Sequence, residues 1–253
     1  MGSAIAQEYA GKNTRLFLWG RNQAALEQCR RACEAKGAVV TLIRQDLQKS
    51  DDAKATLLQL DAQYPLDVAF LNAGVSSGAT PASIYEPAAD ACRTMSVNGL
   101  STVCLSSFLL EKMHARQKGH LVFIASLAAL YPLPSSAAYS AAKVAVAYYA
   151  KALRAAGGPV RISLVYPGYV DTPMSRRLSG PQPFTWSAAK AAAYICQRLA
   201  AGADTIVFPK LLALGTVALH FLPACLANFF VRRFSFTVEP DKESPAYKGD
   251  TPS

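Results

Sequence analysis

Two hydrophobic rhythms alternate along this chain. Short runs of consecutive apolar, often β-branched residues fall at 15–19, 39–43, 66–71, 120–125, 160–166 and 205–208. Between them, at about 3–9, 23–36, 53–63, 88–114, 137–156 and 187–201, apolar positions recur every three or four residues. The first rhythm predicts strands covered on both faces and the second predicts amphipathic helices. Gly157-Gly158-Pro159 supplies a stop after the fifth helix. Strand and helix in strict alternation predict an α/β fold with a doubly wound parallel sheet. The 253 residues suit a single domain with a full core, and neither a linker nor an internal repeat interrupts them.

Two stretches near the C-terminus leave this pattern. From Leu211 to Val231 there is no charged residue, with Lys210 before and Arg232-Arg233 after. Twenty-one consecutive uncharged residues just meet the span of a bilayer. His220, Pro223 and Asn228 lie inside the segment, and positive charge at both ends leaves orientation undecided. Three arrangements fit: a helix lying on or dipping into a membrane surface, a true span, or a helix packed over a substrate cleft or a dimer partner. Each implies an apolar or lipid-linked substrate. Residues 237–253 are polar and rich in Pro, Lys, Asp and Glu, and are expected to form a disordered tail. The expected organisation is therefore a catalytic domain at 1–208, an apolar membrane-associating or capping segment at 209–236, and the tail.

Composition narrows the function classes. The formal charge is +9, but no dense Lys/Arg run is interleaved with aromatics, so nucleic acid is not an expected partner. A basic surface suits phosphate-bearing cofactors or an anionic membrane instead. The six cysteines form no C-x-x-C pair and read as reduced thiols, which predicts a cytoplasmic protein, with membrane association through 211–231 as the added feature. Cys29 and Cys33 stand at i and i+4 on a predicted helix, but with three histidines in the chain no metal site is expected.

Tyr139-Ser-Ala-Ala-Lys143 carries the strongest chemical signal, thirteen residues after Ser126. On a helix, Tyr139 and Lys143 project from one face. A fixed cation beside a phenol favours phenolate, which would draw the tyrosine pKa from about 10 towards neutrality and suit it to acid–base work on an alcohol oxygen. Ser126 closes an apolar strand, so its hydroxyl emerges where open α/β sheets place ligands.

With Leu71-Asn72-Ala73-Gly74 after one strand, Asn98 in Ser-Val-Asn-Gly-Leu, and Tyr166-Pro167-Gly168-Tyr-Val-Asp-Thr172 after another, the chain resembles the short-chain dehydrogenase/reductase family from Gly2 to about Phe208. That resemblance implies a Rossmann-like fold. It also implies a reaction in which Tyr139 is the acid or base, Ser126 holds the oxygen, Lys143 tunes Tyr139 and grips the ribose, and Asn98 holds a relay water. Asn72, Ala73, Gly74, Pro167 and Gly168 would approach the dinucleotide, Thr172 would bond its carboxamide, and 173–186 would form a mobile substrate lid. Arg176 and Arg177 in that lid could meet an anionic substrate or be surface charge.

The family's Thr-Gly-x-x-x-Gly-Ile-Gly loop is matched only from its last glycine, Gly2. The first strand and two earlier glycines are absent, which leads to the expectation of a truncated chain whose upstream residues supply them. Arg21 stands where NADP-preferring members carry a basic residue, and a guanidinium can form paired bonds with a 2′-phosphate, so NADP(H) is favoured over NAD(H). A solvated turn residue is the alternative. Asp46 and Leu47 resemble an adenine-contacting pair, although Asp46 could equally cap the next helix.

These residues predict an NADP(H)-dependent oxidoreductase that interconverts a carbonyl and a secondary alcohol, working on a small, apolar or lipid-like molecule as a homodimer or homotetramer. The alternative is a catalytically silent scaffold of the same fold tethered to a membrane.

Overall fold

The computed structural model describes residues 1–79, 83–233 and 236–239. In chain order the elements begin α1 (Gly2–Tyr9), β1 (Arg15–Gly20), α2 (Gln23–Glu34), β2 (Val39–Arg44), α3 (Ser50–Gln63) and β3 (Val68–Leu71). They continue α4 (Ala88–Thr94), a π-helical turn (Met95–Leu100), α5 (Ser101–Ala115), β4 (His120–Ile124), α6 (Ala137–Ala156) and β5 (Arg161–Pro167). Two-residue strands β6 (Val170–Asp171), β7 (Leu178–Ser179) and β8 (Trp186–Ser187) follow, then α7 (Ala188–Ala200) and β9 (Thr205–Phe208). The chain closes with α8 (Lys210–Ala218), α9 (Ala224–Arg233) and β10 (Thr237–Val238).

All six predicted strands form, and every pair among them is parallel. Parallel strands need crossovers, and the amphipathic helices supply them. β3, β4, β5 and β9 make one sheet in that order, with Val68 opposite His120 and Leu164 opposite Thr205. β4 and β5 are its buried centre: Leu121, Val122, Phe123, Leu164 and Val165 are all essentially inaccessible. Uninterrupted apolar runs form these strands because helices cover both faces. One face carries Leu109, Met113, Val146 and Ala150 from α5 and α6, and the other Ile5, Ala191, Ala192 and Ile195 from α1 and α7.

β1 and β2 form a separate parallel pair, from Arg15 opposite Val39 to Gly20 opposite Arg44. Among the described residues no strand joins β1 to β3. Helix α1 packs against both: Tyr9 meets Phe70 edge-on at 5.2 Å, while Ala6 and Ala10 pack with Leu16 and Leu18. Burial reflects the interruption, since β1 and β3 are only partly covered where β4 and β5 are sealed.

Three expectations change. The single helix predicted over 88–114 is α4 and α5 joined by the π turn, a local widening common at functional sites, and Asn98 sits on it. The apolar segment 211–231 is two short helices parted by a 3-10 turn (Leu219–Phe221) and Pro223, so it does not span; no helix among the described residues is long and apolar enough to cross a membrane. Proline lacks the N–H and crowds the preceding turn, which ends the first helix there. Finally, the expected tail begins later than 237. Thr237–Val238 pair antiparallel with β7, and Phe236 and Val238 are buried. Val238 sits on Gly78, where a Cβ would come within 2.6 Å of it. An apolar pair with a strand partner outweighs the polar residues around it. The remainder of the expected tail, 240–253, lies outside the described residues.

Candidate active site

One cleft of about 800 Å3 runs along the C-terminal ends of the strands. It starts at Trp19, Gly20 and Arg21 after β1, passes Asp46 and Leu47 after β2 and Asn72, Ala73 and Gly74 after β3, and ends at Ser126, Tyr139, Lys143, Pro167, Gly168 and Thr172. Carboxyl-end placement is what a doubly wound sheet dictates. The volume lies in the upper range for small-molecule sites.

Three candidate catalytic side chains meet at the end of β4. Ser126 is extended (φ −166°), and its Oγ accepts from the Ala128 N–H at 3.1 Å as the chain turns. Its hydroxyl lies close enough to the Tyr139 phenol to favour the phenolate. One turn along α6, Lys143 is buried, with Nζ donating to the Ile124 carbonyl at 2.8 Å and standing 5.8 Å from the Tyr139 ring centre. Burial pushes the lysine down to about 8. The same cause pushes Tyr139 above the ordinary phenol value, with the Ser126 hydroxyl opposing it. This corrects the expectation that Lys143 draws the tyrosine towards neutrality. The ammonium is turned to a backbone carbonyl, and desolvation dominates.

Asn98 stands behind this group, wholly buried. Its Oδ1 accepts from the Val75 N–H at 2.7 Å and its Nδ2 donates to the Val75 carbonyl at 2.8 Å. Gly74 separates Asn98 from Lys143: a Cβ there would lie 3.2 Å from Asn98 Oδ1 and 3.9 Å from Lys143 Nζ.

Among the candidate cofactor residues, Arg21 is exposed at one end of the cleft. Asp46 Oδ1 accepts from the Gln48 N–H at 3.0 Å, closing a local turn, and Leu47 packs against the core beside it. Gly2 does not line the cleft, although Met1 does. The glycine instead lets α1 approach Asn72, whose Nδ2 would lie 2.5 Å from a Cβ. Gly168 N–H donates to the Phe208 carbonyl at 2.7 Å, and a Cβ there would meet Pro209 at 2.8 Å. Thr172 shares a turn with Ser175, its N–H donating to Ser175 Oγ at 3.0 Å.

The residues present fit a dinucleotide. Small side chains and glycines open the middle of the cleft, a guanidinium stands at one end, and the hydroxyls and ammonium stand at the other. The lid arginines, by contrast, have partners. Arg176 forms an ion pair with Asp171 at 2.7 Å, and Arg177 donates to the carbonyls of Ser76 and Glu239.

Sequence reasoning missed several supports. Glu86 Oε1 accepts from the Ala138 N–H at 2.6 Å, so a distant carboxylate caps the helix that carries Tyr139 and Lys143. Its Oε2 accepts from Ser77 Oγ at 2.9 Å. His220 bonds the Leu130 carbonyl and meets Tyr131 edge-on at 5.1 Å, tying the C-terminal turn to the loop after Ser126. These contacts span 52 and 90 residues, so no local pattern could have announced them.

The family model described as short chain dehydrogenase matches residues 1–182. An uncharacterized oxidoreductase of Myxococcus xanthus (strain DK1622) is 30% identical over 236 residues, spanning 92% of this chain and 92% of that protein. Two solved structures share the fold. A short-chain dehydrogenase/reductase from Burkholderia phymatum in complex with NAD has a TM-score of 0.74 at 23% identity, covering 95% of this chain and 93% of that one. A short-chain dehydrogenase from Sphingobium yanoikuyae in complex with NADPH has a TM-score of 0.73 at 18% identity, covering 87% and 90%.

Proposed function

The chain belongs to the short-chain dehydrogenase family of nicotinamide-dependent oxidoreductases, and from that premise we propose that it is an NADP(H)-dependent reductase that turns an apolar ketone into a secondary alcohol. The carrying observation is that Ser126, Tyr139 and a buried Lys143, whose Nζ is held 2.8 Å from the Ile124 carbonyl, all stand at the wall of one cleft. When bound, the dinucleotide supplies the hydride. Ser126 holds the carbonyl oxygen and Tyr139 gives it a proton. A phenol raised by burial stays protonated at neutral pH, which suits the reducing direction. Lys143 offers its ammonium to the ribose hydroxyls and favours the phenolate left after transfer. Asn98 completes the relay through a water beside Gly74.

Arg21 supports the cofactor preference: exposed at the cleft's far end, it can pair with a 2′-phosphate. The rest of the cleft wall supports the substrate class, with Tyr131, Leu133, Met174, Phe184, Leu219 and Phe230 in the lining. The oligomer expected earlier would use α5, α6 and the π turn before them, where Leu100, Val144 and Tyr148 are exposed.

Among the described residues no strand pairs with the facing edges of β1 and β3, and an engineered upstream strand with a glycine loop leading into α1 would offer backbone N–H groups to a pyrophosphate. Fluorescence titration with NADPH and NADH tests the proposal, using the chain alone and joined to such an upstream strand and loop. The expected result is NADPH preferred over NADH by about tenfold or more, with Arg21→Asp reversing the order. Failure of every form to bind either nucleotide would overturn it.

A further inference from the structure

The inner faces of α8 and α9 close the cleft, but among the described residues their outer faces are left exposed. Leu214 is 67% exposed, Phe221 85% and Phe229 65%, and Leu211, Val217 and Leu226 stand open beside them at helical spacing. Apolar side chains of this size left in water on consecutive short helices mark an interaction surface.

We propose that this surface docks on an anionic lipid membrane, and that the cleft opens into it so that the substrate enters from the lipid. The route for substrate rests on the reductase reading; the docking does not. Two observations select lipid as the occupant. First, charge is of one sign: Lys210, Arg232 and Arg233 flank the surface, and neither Asp nor Glu occurs between Asp204 and Glu239. Anionic headgroups match that rim, whereas a second copy would bring like charges together. Second, the surface is continuous with the cleft, because Leu211 and Phe230 are exposed and also line it. Two short helices broken at Pro223 suit a face lying at an interface rather than a span. The His220 contact with the Leu130 carbonyl fixes that face relative to Ser126 and Tyr139.

The test is co-sedimentation of the full chain with vesicles of phosphatidylcholine, with and without phosphatidylserine. A triple variant, Leu214→Glu with Phe221→Glu and Phe229→Glu, changes only exposed residues outside the cleft lining. Thermal melting and sedimentation velocity of both proteins without lipid monitor folding and assembly. Expected is pelleting with the phosphatidylserine vesicles that falls by about tenfold or more in the triple variant and on replacing Lys210, Arg232 and Arg233 by Gln. Equal pelleting of wild type and triple variant, or none by wild type, overturns the proposal. So does a triple variant that separates copies in solution while wild type ignores vesicles, since the face would then join subunits. Pelleting needs neither nucleotide nor turnover, so its failure leaves the reductase reading untouched; absent nucleotide binding with normal pelleting would strike that reading alone.

Discussion

Asn98 holds the backbone of Val75 by both ends, accepting its N–H at 2.7 Å and donating to its carbonyl at 2.8 Å. The pair locks the loop after β3, which includes Gly74, to the π turn and so sets the wall behind Lys143. Asn98→Ala would leave two backbone groups without partners, at a cost of about 2–4 kcal/mol. Thermal melting should show a midpoint lower by roughly 5–15 °C. An unchanged midpoint would mean that water replaces the amide freely.

Lys143 is buried where only its chemistry needs it. Its value in the fold is about 8, below the ordinary 10.5, so between these pH values the unfolded chain holds a proton that the folded chain has released. Stability therefore rises with pH across that window, and the penalty for the buried charge is fully present below it. Lys143→Met should stabilise the protein at pH 7 by on the order of 1–3 kcal/mol while abolishing turnover. Chemical denaturation at pH 7 and 10 measures it, with the gain expected to shrink at the higher pH. Reduction by the wild type should decline above about pH 8 as the ammonium is lost.

His120 predicts the same direction in an acid window. Half-buried at the start of β4 with its Nε2 2.9 Å from Ser163 Oγ, it is pushed down to about 4 by burial and, next, by Arg161. As pH falls from about 6.5 to 4 the unfolded chain gains a proton that the folded chain refuses, so stability drops in that window. The loss should be roughly 1–3 kcal/mol, and His120→Gln should remove most of it. Denaturation midpoints at pH 7 and 4.5 would show whether the variant's curve is the flatter.

Glu86 is a positioning residue for Tyr139. Its carboxylate caps the first turn of α6 through Ala138 and suits the positive end of that helix. Glu86→Ala should lower kcat by about tenfold through misplacement of the phenol, with KM for nucleotide little changed. Glu86→Gln, which keeps the acceptor oxygen, should recover much of the loss. A loss equal in both variants, or confined to KM, would refute the assignment.

The six parallel strands could be read from the sequence because each is a continuous apolar run bounded by helical stretches. The site set was legible for a related reason: Ser126, Tyr139 and Lys143 sit at the end of a strand and on one helix face. What escaped depends on distant partners. Nothing near Thr237 announces that Val238 will fill the space over Gly78. The π turn is invisible to helical periodicity, which sees only one apolar stretch from 88 to 114. The direction of the Tyr139 shift was misjudged because spacing shows that Lys143 is near but not that its Nζ turns to the Ile124 carbonyl.

The central claim is that Tyr139 delivers the proton. Single-turnover reduction of apolar ketones by NADPH, comparing the wild type with Tyr139→Phe in the form that binds nucleotide, tests it most directly. The phenyl ring keeps the packing and removes only the hydroxyl that stands near Ser126. The account predicts unchanged NADPH affinity and a hydride-transfer rate lower by about a hundredfold or more. Transfer at the wild-type rate by Tyr139→Phe would contradict it.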